Sequence, residues 1–355
     1  MTPVELSRTV LRAMRCAVDA GELSAGVPDR AHIERPRPGG SGDYATNLAL
    51  RVAREAGVPP LRAAAILSAR IAAEPGIADA EVTGPGFVSI TLAGARGADL
   101  VRDVLERGER YGHSDGDSGQ LVRLHTPCEL RALVVADAVR RILRSQGALV
   151  RVTSDEAPDA AWQDVLGVWV DGHGQPPAPL TTLRPVPAPD TPDPLRLGRD
   201  AGRWALLHPA AHDHPRTGDE HLAQRESNPL FRIRYAYART RALTRNAAAL
   251  GFTSAPGDTG TDVQTDIQGE DELLGALGDH PVVLARSARR HEPDRLARHL
   301  VRTADAFLAQ AHTVLPLGDE KPSAAHRARL ARAEAAGTVL AGGLSLLGIS
   351  APDHL

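Results

Sequence analysis

Asn228–Leu250 reads NPLFRIRYAYARTRALTRNAAAL. Asn228 is a residue type whose side-chain oxygen caps helix N-termini, and Pro229 falls at the first helical position, where its missing N–H costs nothing. Leu230, Ile233, Ala236/Tyr237, Ala238 and Leu243 then mark an apolar side at helical spacing, and Gly251 stands where a C′ glycine ends a helix. Arg232, Arg234, Arg239, Arg241 and Arg245 occupy the rest, and the stretch holds no acidic residue. Such a row is either a solvated face in an arginine-rich chain or a surface that looks outward for an anion. Self-neutralisation within the helix is ruled out by its composition, so the second reading gains weight with every basic neighbour.

Working outward, the helices expected at 281–290, 293–315 and 323–347 make the C-terminal third an all-α bundle. Leu296, Leu300, Ala304, Phe307/Leu308 and Ala311 form a core stripe, with Arg295, Arg298 and Arg302 along its flank. Over 228–355 there are fourteen arginines and one lysine against fourteen acids, and seven of those acids lie within 258–279, in what reads as an acidic loop (253–271) and just beyond. The packed helices therefore carry a local positive excess suited to an RNA backbone. The whole chain has 355 residues, 42% of them hydrophobic, and a net charge of −3. That size suits about two or three domains, and the charge excludes a generally basic coat, so a polyanion would be held by local patches. Lys321 is the only lysine. Two cysteines, Cys16 and Cys128, fit a reducing compartment, and the lack of a signal or long apolar run predicts a cytoplasmic protein with no membrane partner.

Upstream, Thr2-Pro3-Val4-Glu5 is a capping box opening a helix to about Ala20. His32–Arg37 reads as a strand, GGSGDY as a turn, and helices are expected from about Ala45 and from Pro59-Pro60. Ala80–Val82 and Phe87–Leu92 read as strands around Gly84-Pro85-Gly86, with a helix from Arg96 to Arg110 closing a small α+β unit. The glycines of both turns can be purely conformational. After a polar linker, LVRL at 121–124, a helix over Leu130–Gln146 and LVRV at 149–152 form the strand–helix–strand unit of a parallel sheet. The following Ala157–Asp193 is rich in Pro and Gly. Histidines 208, 212, 214 and 221 cluster with Asp213, but loop histidines without a rigid scaffold do not by themselves make a metal site, and none is expected.

ERPRPGGSGDYATNLAL followed by GPGFVSI resembles the N-terminal additional domain of arginyl-tRNA synthetases. NPLFRIRYAYAR resembles that family's NPxFYxQYAxAR, the start of its DALR-type anticodon-binding domain, and the ending LGISAP is similar too. Gly198, Asp200, Ala201, Arg203 and Trp204 match the run that follows the family's KMSK-type loop. The resemblance implies a multidomain α+β protein: an N-terminal α+β domain (1–113), a shortened Rossmann-like α/β remnant of the catalytic domain (114–226) and a C-terminal all-α helical bundle (227–355). It departs from the family where the HIGH-type tetrapeptide belongs. Thr126, Pro127, Cys128 and Glu129 stand there, Glu129 brings negative charge where phosphates would lie, and no lysine precedes Lys321. Cys128 has no histidine base beside it in sequence and reads as a plain thiol.

What the resemblance implies for function is tRNA binding, or binding of a tRNA-like RNA, without aminoacylation and without a cofactor. Asp43, Tyr44, Asn47, Gly84, Gly86 and Phe87 would meet the tRNA elbow. Arg232, Arg234, Tyr235, Tyr237, Arg239 and Arg241, with Arg295, Arg298 and Arg302, would hold the anticodon arm by stacking and phosphate pairing. Two alternatives stand beside this. One is an active arginine–tRNA ligase of short form, which would bind ATP; the other is an adaptor for another translation protein. No DNA partner is expected.

Overall fold

The computed structural model describes residues 3–34, 42, 44–92, 97–174, 180–189, 191–257 and 267–355. Its contacts divide into two compact units, Met1–Leu100 and Val101–Leu355. The acidic stretch 258–266, residues 35–37 of the expected first strand, and Asp43 lie outside the described residues.

In the first unit, α1 (Pro3–Asp19), α2 (Leu48–Ala56) and α3 (Pro60–Ala72) cover a four-stranded antiparallel sheet. Its strands are β1 (Ile33–Glu34), β2 (Tyr44–Thr46), β3 (Ile77–Thr83) and β4 (Phe87–Leu92), in the order β1-β2-β4-β3. Leu6, Val10, Met14 and Ala17 recur at helical spacing and are fully buried against Leu48, Leu67, Ile71 and Ile90. Each large side chain so buried contributes about 1.5–3 kcal/mol of transfer free energy. One expectation is corrected here. Tyr44-Ala45-Thr46 is an interior strand, Tyr44 opposite Ile90 and Thr46 opposite Val88, and the helix begins only at Leu48. All three strand residues are buried, so pairing with β4 overrides the helical spacing that Leu48, Val52 and Ala56 carry on from Ala45.

Helix α4 (Ala98–Arg107) leads into the second unit. There β5 (Leu121–Thr126), α5 (Leu130–Ser145) and β6 (Leu149–Ser154) form the expected parallel unit, with Leu121 opposite Leu149 and Thr126 opposite Ser154. After α6 (Ala160–Leu166), the two-residue strands β7 (Gly172–His173) and β8 (Thr181–Thr182) complete a parallel sheet in the order β7-β6-β5-β8. Thirteen of the sixteen residues of α5 are buried. A helix buried on every side is a core element, and α5 has the sheet on one flank and α7 (Gly198–Leu207), α9 (Ile267–Arg290), α10 (Pro293–Gln310) and α11 (Ala324–Leu347) on others. Helix α8 (Pro229–Ala249) packs on α10 and α11. The fold is thus mixed α/β with a C-terminal helical region.

Helix α9 starts well before the proline at which a helix was expected to begin. Pro281 lies inside it. Leu273, Ala276, Leu277, His280 and Leu284 keep one buried stripe running through that position, so packing carries the helix across the missing N–H.

Candidate nucleic-acid interface

Asn228 caps α8 as its sequence requires, its side chain accepting from Leu230 N at 3.1 Å. Leu230, Ile233, Ala236, Thr240, Leu243 and Ala247 face the core. The opposite side presents the arginines, but not as free charges. Arg232 pairs with Asp305 at 3.4 Å, Arg234 with Asp200 at 3.7 Å and Arg241 with Asp353 at 3.2 Å. On the neighbouring helices Arg295 pairs with Glu292, Arg298 with Asp294, and Arg302 with Asp279 at 3.0 Å. The expectation that the α8 arginines look outward for an anion is therefore corrected for Arg232, Arg234 and Arg241, which have partners within the protein. The partners of the α8 arginines and of Arg302 come from other elements, which a count within one helix does not see, whereas those of Arg295 and Arg298 stand three and four residues before them. Arg239 and Arg245 make no ion pair among the described residues. Most of these pairs are half-exposed, and such pairs are worth little, so a phosphate can displace the carboxylate.

Aromatic groups share this side. Tyr235 is 45% exposed and its ring stacks on Phe231 at 5.9 Å, leaving an open face for a base. Tyr237 is half-buried, and its hydroxyl donates to Asp353 Oδ1 at 3.0 Å. Burial, and after it the bond to Asp353, push the Tyr237 phenol up, so it remains a donor at neutral pH.

The C-terminal residues hold this face together. Ser350 N and Oγ both donate to Asp200, the N–H at 3.0 Å, and Asp200 in turn meets Arg234. Two separate signatures in the sequence, the Gly-x-Asp-Ala run and the LGISAP ending, are thus the two halves of one contact. Beneath it Arg203 is fully buried and donates to Leu347 O at 2.8 Å, Leu166 O at 2.9 Å and Asp137 Oδ2 at 2.8 Å. Burial raises the Asp137 carboxyl, but Arg203, Arg141 and Arg140 outweigh it and leave it below the usual carboxylate range. A cavity of about 490 Å³ opens beside this contact, bounded by Asp200, His221, Leu222, Phe231, Arg234 and Leu355.

The carboxyl ends of the parallel strands are where open α/β sheets take ligands. Here Thr126 donates to Leu183 O at 3.1 Å, and His125 is held between Thr153 Oγ1 and Asp155 Oδ1, each at 3.0 Å. Pro127 precedes Cys128, whose thiol is pushed up by burial and by the charges of Glu156, Asp155 and Asp159. Glu129 is the N-cap residue of α5 and makes no side-chain cap bond. Four carboxylates thus gather around the helix N-terminus. The nearby Arg131 is fully engaged: its five N–H groups donate to the carbonyls of Leu206, Val186, Asp213, Pro209 and Ala210 at 2.7–3.1 Å. That staple folds the histidine-bearing loop. His208 stacks on Trp204 at 4.8 Å, and burial lowers its pKa to about 4. Among the described residues no three His, Cys, Asp or Glu side chains converge as a metal site.

In the first unit Gly84 and Gly86 make the β3–β4 turn with φ of +65° and +125°. A Cβ on Gly86 would lie 2.9 Å from Leu50 Cδ2. Phe87 is half-buried, Tyr44 is buried in β2, and Asn47 caps no backbone group, its Oδ1 having no partner among the described residues. Sequence reasoning missed Arg141, Arg199, Ser350 and Asp353, which reach the interface only through tertiary contacts.

Residues 8–92 match the model of the arginyl tRNA synthetase N-terminal domain, and residues 233–355 match that of the DALR anticodon binding domain. A protein of Paenarthrobacter aurescens named arginine–tRNA ligase is 26% identical over an alignment of 557 residues that spans all of both chains. The chain belongs to the arginyl-tRNA synthetase family. Another such ligase, from Pseudarthrobacter chlorophenolicus, is 25% identical over 559 residues, again across both full chains. These alignments are longer than this family member's 355 residues, so each relative carries residues with no counterpart here. The fold resembles that of Thermus thermophilus arginyl-tRNA synthetase (TM-score 0.69, 14% identity, all of both chains covered). It also resembles the Plasmodium falciparum arginyl-tRNA synthetase (TM-score 0.64, 10% identity, 99% of both). No helix among the described residues is long and apolar enough to cross a membrane.

Proposed function

We propose that this chain binds tRNA, laying the anticodon arm on α8, and that it does not form aminoacyl-adenylate. The carrying observation is the composition of the α8 face: an exposed Tyr235 ring backed by Phe231, flanked by arginines in weak, displaceable ion pairs, on a helix that from residue 233 lies in the segment matching an anticodon-binding model. Aromatic stacking with phosphate pairing suits an unstacked RNA loop. Arg232, Arg234, Tyr235, Tyr237, Arg239 and Arg241 carry that role, with Arg295, Arg298 and Arg302 along the stem. Asn47, Gly84, Gly86 and Phe87 form an elbow-binding part, Tyr44 being withdrawn from it because its side chain is buried in β2 and serves the core, and residues 114–226 act as a Rossmann-like spacer.

The non-catalytic part of the reading rests on charge. Nucleotide triphosphate at the strand ends would face Glu129, Asp155, Glu156 and Asp159, while Arg131 has no donor to spare. The residues present do not fit ATP phosphates. Filter binding of tRNA in rising salt tests the first part: no complex even at low salt overturns it. Arginine-dependent ATP–pyrophosphate exchange tests the second.

A second reading, an active arginine–tRNA ligase, is favoured by the names of the full-length relatives. Exchange above a no-arginine control would establish it and remove the non-catalytic claim.

A further inference from the structure

Arg141 on α5 and Arg199 on α7 line a second cleft of about 430 Å³, together with Tyr237, Ser345, Ser350 and Asp200. Each guanidinium is hydrogen-bonded through Nε alone, and that of Arg199 also lies against Gly167. Arg141 Nε donates to Asp137 Oδ2 at 3.0 Å and Arg199 Nε to Gly348 O at 3.4 Å. Among the described residues no acceptor meets the terminal nitrogens of either. A planar guanidinium anchored through Nε offers its outer pair of N–H groups already oriented, so little side-chain entropy is lost when an oxyanion arrives.

The carboxylates nearby do not fill that offer. Asp200 is taken by Ser350 and Arg234, and Asp137 behind Arg141 is shared with Arg203 and Arg140. Glu109, also on the wall, is exposed to solvent. The lining has serine hydroxyls and arginines, with one aromatic ring, Tyr237, which belongs to α8 as well. The cleft is therefore continuous with the α8 face, and its chemistry suits a phosphate and not a base.

We propose that this cleft seats one phosphodiester of the RNA held on α8, with Arg141 and Arg199 supplying the donors. The inference rests on the RNA-binding reading of α8. Neither arginine follows from the sequence signatures, since they stand on α5 and α7, three helices and one helix before α8.

The test compares the full-length protein with Arg199→Gln and with the Arg141→Gln/Arg199→Gln double variant, in tRNA filter binding from low to moderate salt. Removing donors from one phosphate should weaken binding roughly tenfold, the scale of a hydrogen bond to an ionised group. It should also make the slope of log K against log salt shallower by about one. Arg199→Gln alone leaves Asp137 and its partners intact, so a smaller loss in the same direction, at unchanged thermal midpoint, separates anion binding from a folding defect. Unchanged affinity and slope in both variants overturn the cleft while leaving α8 as the RNA site. Wild-type protein that binds no tRNA at low salt overturns both.

Discussion

Arg131 shows how far a residue's place in a motif can stand from its job. It follows the degenerate tetrapeptide, where an arginine near bound nucleotide would be natural, yet all five donors are spent on backbone carbonyls inside the protein. Carbonyls accept without needing a counter-charge, so the side chain works as a knot for 206–213 and Val186. Burial lowers the Arg131 pKa, with Asp213 and Asp294 pulling the other way. Replacing it by methionine should cost about 3–5 kcal/mol, because buried acceptors lose their donor with no water to replace it. Urea unfolding of Arg131→Met checks this, and a loss below about 1 kcal/mol would show that the carbonyls find other partners. Lysine, with three donors and no fork, should recover only part of the loss. Cys128 offers a second check at this scale. A thiol pushed up by burial and three carboxylates should alkylate more slowly than free cysteine at pH 8, measured by iodoacetamide labelling followed by mass spectrometry.

The helices were legible where a single chain segment carries its own signals. Asn228 with Pro229 and the αL glycine 251 mark ends found in the fold. What failed was set by partners distant in sequence. β2 exists because β1 and β4 flank it, and α9 runs through Pro281 because Leu273 and Leu277 are buried with Leu284. The same distance hid the state of α8, whose Arg241 and Tyr237 both meet Asp353 beyond the end of α11. Arg241 and Asp353 are each about half exposed, so the pair is weak. Asp353→Asn should change the thermal midpoint little. On the RNA-binding reading it should strengthen tRNA binding several-fold, because the phosphate no longer competes with a fixed carboxylate. Weaker binding in that variant would mean that Asp353 orients the two side chains instead of occupying their place.

Across the larger unit, the absence of a HIGH-type motif is plain in the sequence, whereas the gathering of Glu129, Asp155, Glu156 and Asp159 is not. The last three follow β6, and only the parallel pairing of β5 with β6 brings them to the start of α5. The same unit holds a buried histidine pair that periodicity could mark as core but not as titratable. His280 lies 5.4 Å from His299 and stacks on Tyr111 at 5.9 Å. Burial lowers His280 to about 4, and it drives His299 well below the usual imidazole range. Both are neutral in the fold and take up protons more readily once unfolded. Their contribution is therefore complete above about pH 6.5 and is lost as pH falls toward the folded values. For His280 alone the loss between about pH 6.5 and 4 is on the order of 3 kcal/mol. Asp137 acts lower on the scale. Its folded pKa is depressed by the surrounding arginines, so its contribution persists until the pH drops below the ordinary carboxylate range. Acid unfolding should thus come in two windows, the upper one belonging to the histidines. His280→Leu should make the urea midpoint fall less steeply between pH 6.5 and 4, with His299 and His208 keeping part of the slope, while leaving the steep fall below pH 4, and a variant with the wild-type slope in the upper window would assign that loss to other groups.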